Sequence, residues 1–491
     1  WNDKMRLGKH IPLGDLIYLD RERCIHCARC IRFQDLIAGE PVLGFGSRGR
    51  HQLIVTYSEP GFDSPFSGNT TDICPVGALT TADFHFNARP WEMIPVASLD
   101  THFPSGDNIV FDTRTDRLAG GRTTIKRVMP RQNEEVNEIW ISDKTRFGRH
   151  YMEHPDRLTA PMVRKSGKLV EVSWDEALSE VVSLFRQAGS DIAAIGGPRL
   201  SNEDFYSIQK LVRSRGSNNL SPYPAHMAGA EQANSAGVAS GTNLQKLGKG
   251  DAILVVASDL YAEAPVWWLR VKAAAQRGAT LIVANGRETH LDRYATHSIR
   301  TTYGDEAAAL NALSSSPAGK AFAEAANAVV FVGGEGLTST GSAELTEPAA
   351  NLLLTTGHVG KVNNGLIMVW PGANIQGAFD MGFSHAFGPG YMPVEKAGFD
   401  YAGILSALES NGLKLAYIAG ADPVFDDYRA EEILRETKAA IIVQDMFLSE
   451  TAKLADVVLP TQSVAERDGT YTSGERRVQR FFPAIEPVGQ S

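Results

Sequence analysis

The chain has 491 residues, of which 43% are hydrophobic, and a formal net charge of −9 at pH 7. This length corresponds to about two to four domains with ordinary globular cores. The negative charge excludes a chain-wide nucleic-acid-binding surface, and no apolar run reaches the roughly 18 residues that a membrane-spanning helix needs. Because the sequence starts at Trp1 rather than at a methionine and stops directly after a strongly patterned segment, we expect that both ends are trimmed.

The first unit that we predict, residues 1–95, contains all four cysteines of the chain. Cys24, Cys27 and Cys30 form a C-x2-C-x2-C run, and Cys74 follows much later, directly before a proline. A short loop with two-residue gaps supplies three thiolates to one side of a cubane, and a distant cysteine followed by proline supplies the fourth. The spacing therefore predicts one 4Fe–4S cluster that uses every cysteine, and hence a protein that transfers electrons.

Two other uses of these cysteines fit less well. Zinc ribbons use two separate pairs of cysteines, whereas three of these four share overlapping gaps. Disulfides are disfavoured because no signal peptide is visible and the chain is large enough to fold without them. Four arginines interleave with the predicted ligands, and they either stabilise an anionic cluster or form a solvated basic surface: Arg21, Arg23, Arg29 and Arg32.

Local patterns predict the elements of this unit and of the next one. Residues 11–24 are typical of a short strand leading into the cysteine loop, and residues 27–39 have the apolar spacing of a helix that ends at Gly39. Residues 96–155 form the second unit, a small linking module. Within it, residues 108–118 and 123–131 predict a strand, a loop and a return strand.

The third unit that we predict, residues 156–491, has an α/β pattern. Short apolar runs alternate with segments that are typical of helices, which indicates parallel sheets covered on both faces. The predicted architecture is a doubly wound α/β fold in two lobes. No glycine-rich nucleotide-binding motif stands between a strand and a helix, so the fold by itself indicates no cofactor. The apolar runs are residues 252–257, 279–284, 328–332, 413–418 and 439–443.

Several motifs together resemble one known family. The segments ERCIHCARCIRF, SGNTTDICPVGALT and FNARPWE are similar to the large iron–sulfur subunit of NADH:quinone oxidoreductase, respiratory complex I. VNEIWISDKTRFG and HVGKVNNGLIMVWPGANIQGAFDMG extend this resemblance along the chain. The segment ETAKLADVVLPTQSVAERDGTYTSGERRVQRF resembles the closing signature of the molybdopterin oxidoreductase superfamily. The resemblance covers nearly the whole chain, and it depends on the combination of motifs.

This resemblance implies an electron relay. The family takes electrons from a flavin-containing partner that oxidises NADH and passes them through iron–sulfur clusters toward quinone. The ligands of one 4Fe–4S cluster carry over to Cys24, Cys27, Cys30 and Cys74. A ferredoxin-like cluster module would precede a molybdopterin-oxidoreductase-like domain that serves as a catalytically silent scaffold, so we expect no catalytic site on this chain alone.

The resemblance also implies partners and a location. We expect contacts with the subunit that binds FMN and NADH and with cluster-bearing connecting subunits, but no nucleic acid and no membrane span. The chain would lie in the peripheral arm of complex I. That arm faces the cytoplasm at the inner membrane of bacteria, or the matrix in mitochondria.

The chain departs from the family at two cluster positions. The family begins with a 2Fe–2S domain and a second 4Fe–4S cluster held by one histidine and three cysteines, which we expect before Trp1; His10 is interpreted as an ordinary surface residue. Some members hold a further cluster in the linking module. Its four cysteines would correspond to Asp100, Phe103, Asp107 and Ser142, so this cluster should be absent. A hard metal on Asp100, His102 and Asp107 is disfavoured against a plain surface loop.

The molybdenum or tungsten ligand of catalytic relatives also has no counterpart. The corresponding residues are Ala225, His226 and Met227, and no spare cysteine exists. We therefore expect no molybdopterin. The alternative functions are a stand-alone oxidoreductase of the formate dehydrogenase type, with molybdenum or tungsten held by two pterins, and a structural zinc module. The neighbouring Trp267 and Trp268 are predicted to pack in a core.

Overall fold

The computed structural model describes residues 7–59, 61–85, 87–224 and 228–489. The N-terminal unit consists of short strands and helices around the cysteines. A π-helix, Phe33–Ala38, continues its first helix directly. The strands are β1 (Ile11–Pro12), β2 (Ile17–Leu19), β3 (Leu43–Gly46), β4 (Leu53–Thr56) and β5 (Leu79–Thr81), and the helices are α1 (Arg29–Arg32) and α2 (Asn69–Ile73).

The strands of this unit are held by two small antiparallel sheets. One sheet has the order β1-β2-β5, and the other is the hairpin β3-β4. A small apolar core forms between them, and its buried members include Leu19, Ile54 and Leu79. The predicted strand and helix are both confirmed, and the helical segment ends at Gly39, whose φ of 71° glycine adopts without steric cost.

The linking module is a three-stranded antiparallel sheet with the order β6-β7-β8. The predicted strand, loop and return strand are confirmed as β7 and β8, which pair over their full length with a register shift at Asp112. A short helix follows, and Ser142 begins it by accepting a hydrogen bond from the Thr145 N–H at 3.1 Å. The elements are β6 (Ile94–Leu99), β7 (Asn108–Asp116), β8 (Arg122–Pro130) and α3 (Asp143–Phe147).

The α/β unit begins beyond this helix. Its strands are β9 (Met162–Lys165), β10 (Lys168–Glu171), β11 (Ile192–Gly196), β12 (Leu220–Pro222), β13 (Ala252–Val256), β14 (Thr280–Asn285), β15 (His297–Arg300), β16 (Ala328–Val332), β17 (Gly365–Met368), β18 (Leu415–Ala419), β19 (Ala440–Asp445), β20 (Val457–Pro460), β21 (Gly469–Thr472) and β22 (Val478–Phe481). Its helices are α4 (Trp174–Ala188), α5 (Asn202–Ser214), α6 (Ala230–Ala236), α7 (Leu260–Glu263), α8 (Pro265–Gln276), α9 (Glu306–Leu313), α10 (Pro317–Ala323), α11 (Ser339–Thr355), α12 (Ile375–Asp380), α13 (Tyr401–Glu409), α14 (Pro423–Asp426), α15 (Tyr428–Glu436) and α16 (Glu450–Leu454).

Two large sheets form the two lobes of this unit. One has seven strands in the order β10-β9-β20-β19-β18-β11-β12, in which only β9 runs opposite to the others and is antiparallel to both of its neighbours, β10 and β20. The other is an all-parallel sheet with the order β15-β14-β13-β16-β17. The apolar runs predicted as strands are β13, β14, β16, β18 and β19, so the doubly wound architecture is confirmed.

Helices cover both faces of each parallel sheet, which explains why these strands are continuously apolar rather than alternating. Every residue of β13 and of β16 is buried. Trp267 and Trp268 on α8 are fully buried against the five-stranded sheet and the N-terminal unit, as predicted for core residues. None of the helices in the described part of the chain combines the length and the apolar character that a bilayer-spanning helix needs.

Candidate metal centre

The loop after β2 and the start of α1 place three cysteines around one cavity. His26 and Ala28 separate the cysteines and have left-handed backbone conformations, with φ of 53° and 60°. Such conformations are uncommon outside glycine and curl the chain tightly. Cys24, Cys27 and Cys30 consequently line the same cavity, with Cys27 exposed and the other two half-buried.

Cys74 reaches the same cavity from the end of α2. The chain turns sharply after it, because Pro75 fixes its own φ and Gly77 has a φ of 61°. This turn directs the N–H of Ala78 to the Cys74 sulfur, which accepts a hydrogen bond at 3.3 Å. Hydrogen bonds to a cluster ligand stabilise its anionic form and help to set its potential.

The cavity is otherwise apolar, lined by Leu19, Ile54 and Leu79 of the small core. Burial raises the pKa of the Cys30 thiol to about 11, although the N–H of Ile31 opposes this shift. Burial also raises the pKa of Cys24. These thiols are therefore protonated at pH 7 without a metal, and metal binding has to displace their protons.

The donor set fits an iron–sulfur cluster. No three histidine, cysteine, aspartate or glutamate side chains in the described ranges stand close enough together to bind a single metal ion. Thiolates of one zinc ion all lie about 2.3 Å from the same atom, whereas those of a cubane bind four separate irons and stand farther apart. Four thiols that border one apolar cavity supply the four separate ligands that a cubane requires.

The interleaved arginines lie mostly toward solvent. Arg23, Arg29 and Arg32 are exposed, and Arg29 lines the cavity rim. Arg23 forms an ion pair with Asp20 at 3.4 Å. The ion pair and the exposure of Arg23 indicate that this residue belongs to a solvated basic surface. Arg29, at the rim of the cavity, lies where its charge can act on a cluster.

His10 is exposed, as predicted for a surface residue, but it has specific partners. Its Nδ1 lies 3.1 Å from Nε2 of His85, and its ring stacks on Tyr18 with 3.9 Å between centroids. His85 also lies 2.8 Å from the Thr80 hydroxyl through Nδ1. Sequence spacing gave no signal for this histidine pair, because its members are separated by most of the N-terminal unit.

The prediction of a plain surface loop at Asp100, His102 and Asp107 is wrong. Asp100 and Asp107 are buried, as are Phe103 and Ser142 at the other two positions that the resemblance matches to cluster cysteines. The hairpin β21-β22 and its turn cover this loop: the Gly474 N–H donates to the Pro104 carbonyl at 2.9 Å. The covering residues lie hundreds of positions away, which is why the sequence pattern did not reveal the burial.

The buried loop is held by its own backbone and by the side chain of Asp100. The Asp100 N–H donates to the Asp107 carbonyl at 2.9 Å, and the Asp100 carboxylate accepts from the N–H groups of His102 and Phe103. Burial raises the pKa of Asp107 well above its ordinary value, and the nearby Asp100 adds to this effect. A buried carboxyl group and a phenyl ring thus occupy positions that the resemblance matches to cluster cysteines.

The residues that correspond to the molybdenum ligand region, Ala225, His226 and Met227, lie outside the described residues. Next to them, beyond the end of β12, is a cavity of about 340 Å³ between the two lobes. Its polar lining includes Glu231, His385 and Asp400. No cysteine lines it, since all four cysteines of the chain border the other cavity.

Comparison with protein families assigns a description to each of three segments. Residues 14–80 match the ferredoxin-like domain of NADH-quinone oxidoreductase subunit 3. Residues 95–150 match the NDSU1/NuoG-like 4Fe-4S domain of NADH-ubiquinone oxidoreductase. Residues 157–491 match molybdopterin oxidoreductase.

Curated relatives match over almost the whole chain. The G subunit of NADH-quinone oxidoreductase from Rickettsia typhi is 33% identical, over 100% of this chain and 67% of the relative. The mitochondrial NADH-ubiquinone oxidoreductase 78 kDa subunit of Candida albicans is 30% identical, over 99% of this chain and 62% of the relative. The chain thus spans about two thirds of the length of these relatives.

Among solved structures, acetylene hydratase from Pelobacter acetylenicus resembles the chain with a TM-score of 0.60. The match covers 80% of this chain and 67% of that structure, at 16% sequence identity. At this identity the similarity shows a shared fold alone.

Proposed function

The chain belongs to the family that comprises the G subunit of NADH-quinone oxidoreductase and the mitochondrial 78 kDa subunit, and we propose that it relays electrons through one 4Fe–4S cluster. The ligands would be Cys24, Cys27, Cys30 and Cys74. The observation that carries this proposal is that these four cysteines line one apolar cavity. Ligands from two distant segments meeting in this way suit a cubane.

The chemistry needs no acid, base or nucleophile. A cubane accepts one electron and passes it to a neighbouring centre, while the protein sets its potential through burial and hydrogen bonds to sulfur. Leu19, Ile54 and Leu79 would shield one side of the cluster from water. Cys27 is exposed and marks the side nearest to solvent, where a neighbouring electron carrier could come close.

The proposal also assigns a role to each of the three units of the chain. We infer a cluster-binding module at residues 1–95, a linking module without a cluster at 96–155, and a scaffold without molybdopterin at 156–491. Buried Asp107 and Phe103 support the absence of a cluster in the linking module, because a phenyl ring has no donor atom for iron and a carboxylate is a poor substitute for a cluster thiolate.

Assembly follows from family membership, since the relatives are named as subunits of NADH-quinone oxidoreductase. We propose that the chain contacts the subunit that binds FMN and NADH and the cluster-bearing connecting subunits. The 2Fe–2S and second 4Fe–4S clusters of the family would lie before Trp1. A place in the peripheral arm, facing the cytoplasm in bacteria or the matrix in mitochondria, belongs to the same proposal.

The second candidate is a molybdenum or tungsten enzyme with two pterins. It is favoured by the match of residues 157–491 to molybdopterin oxidoreductase and by the cavity next to β12. The absence of any cysteine beyond Cys74 argues against it, because catalytic relatives often use cysteine as a metal ligand. Metal and pterin analysis of the purified protein distinguishes the two functions.

The test is to purify the protein without oxygen and measure iron, acid-labile sulfide, zinc, molybdenum and tungsten. We expect about four iron and four sulfide per chain, and an electron paramagnetic resonance signal after reduction with dithionite. Cys74→Ser should lower cluster content at least about tenfold, since it removes a ligand outright. Ile25→Ser changes an exposed neighbour of the ligands to the same residue and should keep full content.

Three results would contradict the proposal. Zinc without sulfide would indicate a structural zinc module. Stoichiometric molybdenum or tungsten together with pterin would indicate the enzyme of the formate dehydrogenase type. Equal cluster content in Cys74→Ser and Ile25→Ser would also show that Cys74 is not a ligand.

A further inference from the structure

A histidine pair lies behind the proposed cluster. His10 and His85 contact each other through Nδ1 and Nε2 at 3.1 Å, and the other nitrogen of His85 lies 2.8 Å from the Thr80 hydroxyl. Tyr18 supports the pair by stacking on His10. In the neutral pair one facing nitrogen donates its proton to the other, so a further proton has to bind at one of the outer nitrogens, Nε2 of His10 or Nδ1 of His85.

One layer of β-sheet separates this pair from the cysteines. Leu19 of β2 and Leu79 of β5 line the cysteine cavity. The alternate residues, Tyr18 and Thr80, are opposite each other in the sheet and contact the histidine pair. Because successive side chains of a strand point to opposite faces, the cluster and the pair lie on the two faces of the same strands.

The link between the two sites is short. Cys74 accepts a hydrogen bond from the N–H of Ala78, which directly precedes β5. Thr80 follows two residues later and contacts His85. From the thickness of a strand with its side chains, the cluster and the imidazoles stand on the order of 10 Å apart. At that distance a charge on the cluster still interacts with the imidazoles, and solvent on the outer side of the pair screens part of this interaction.

The pair faces charged groups on several sides. Burial lowers the pKa of His85. The nearby His10 and Arg23 lower the pKa of His85 further, and Asp20 opposes this shift. Lys9 forms ion pairs with Asp20 and with Glu22 beside His10. Two acidic and two basic residues line the same cavity as His85. These are Asp72, Asp83, Arg127 and Arg146.

We propose that His10 and His85 form a proton-binding site that is coupled to reduction of the cluster. When one electron from a low-potential donor enters the cluster, the pair takes up one proton from solvent through the cavity next to His85. When the cluster passes its electron on, the proton returns to solvent. This inference depends on the proposed cluster, and it adds a proton to the electron relay.

The direction of the effect follows from charge. The added electron makes the cluster more negative, which favours protonated imidazole and raises its pKa in the reduced state. The reduced protein therefore binds a proton more tightly than the oxidised protein. The midpoint potential should fall as pH rises through the pKa values of the pair, and a tenfold difference in proton affinity corresponds to a total fall of about 59 mV for one electron.

The test is a redox titration of the cluster-loaded chain, followed by electron paramagnetic resonance, over a pH series from acidic to mildly alkaline. The wild type should show a potential that falls across the lower half of this range and then becomes flat. His85→Gln keeps a polar group next to Thr80 and His10 but does not titrate, and His10→Gln does the same at the other position. Each variant should show a reduced pH dependence, and the double variant should show none in this range.

His51→Gln serves as the matched control, because His51 is an exposed histidine of the same unit. It should retain the pH dependence of the wild type. Iron and sulfide content, measured on every sample, separates a failure of the proposed cluster relay from a failure of the proposed proton site. A wild-type chain without a cluster would overturn both the relay and the proton site. An intact cluster with a flat potential, or an unchanged pH dependence in the double variant, would overturn the proton site alone.

Discussion

Arg157 and Glu466 form an ion pair with no exposed side-chain surface, at 2.7 Å. The Arg157 guanidinium also donates to the carbonyls of Met152 and Thr461, and the Glu466 carboxylate accepts from the Ser463 N–H. These hydrogen bonds hold both charges in a site that water does not reach, and the buried Arg157 Nε has no partner among the described residues. The pair ties the start of the α/β unit to its C-terminal segment.

Glu466→Ala should lower the free energy of unfolding by about 3–5 kcal/mol, because it leaves the Arg157 charge buried without a partner. Urea denaturation followed by circular dichroism measures this loss. The control is Glu431→Ala, which breaks an exposed pair with Arg435 of similar length, 2.8 Å. It should cost less than about 0.5 kcal/mol. Equal losses in the two variants would show that burial of the Arg157 pair does not matter.

The π-helix Phe33–Ala38 connects the cluster module to the scaffold. Its carbonyl at Leu36 accepts a hydrogen bond from the Lys272 ammonium at 2.7 Å, and Phe33 contacts Trp140 of the linking module. Gly39 ends the segment at the surface of α8. A methyl group there would lie 2.6 Å from the Tyr294 hydroxyl and 3.2 Å from the Trp268 ring.

Gly39→Ala should therefore destabilise the contact between the cluster module and α8. The control is Gly49→Ala, because Gly49 has a similar φ of 63° but no atoms near the position of an added methyl group. Both variants incur about 1–2 kcal/mol for the left-handed conformation. Gly39→Ala should lose a further 1–3 kcal/mol, roughly, from overpacking. Differential scanning calorimetry would contradict this argument if the two variants melted alike.

At the scale of the whole molecule, the hairpin β21-β22 joins three parts of the structure. Its turn contacts the linking module through Gly474 and Pro104. Glu475 in the same turn accepts a hydrogen bond from the Trp267 indole at 2.9 Å, next to the five-stranded sheet. Thr472 accepts one from Asn202 of α5, next to the seven-stranded sheet. The hairpin thus lies where the linking module and both lobes meet.

Burial raises the pKa of Glu475 in this turn to about 7, from an ordinary value of 4.5. The folded protein therefore holds this proton more tightly than the unfolded chain does. Its contribution to stability is fully present below the ordinary pKa and is lost as pH rises through the raised one. A pKa shift of this size corresponds to a loss of about 3 kcal/mol in the free energy of unfolding.

Glu475→Gln keeps an oxygen for the Trp267 indole and does not titrate. We expect the variant to gain stability relative to the wild type as pH rises from about 4 to about 8, as measured by urea denaturation at a series of pH values. Glu409→Gln, at an exposed helix position, should show no such gain. A constant difference between wild type and Glu475→Gln at all pH values would contradict the buried titration.

Local sequence was sufficient for the strands of the two lobes. A run such as 328–332 is continuously apolar because helices cover both faces of its sheet, and that pattern is visible without the fold. The spacing of Cys24, Cys27 and Cys30 is equally local, since a loop with two-residue gaps has few ways to arrange its thiols. In both cases the pattern that permits the prediction lies within a few residues along the chain.

Only the tertiary structure decided the surroundings of these elements. The loop at Asp100 and Asp107 reads as polar and exposed, yet a hairpin from the far end of the chain covers it, as the Asn108–Gln479 hydrogen bond shows. The contact between His10 and His85 likewise depends on how β2 and β5 pair. The physical reason is that periodicity and spacing record short-range constraints, whereas burial and side-chain partners depend on which distant segments pack together.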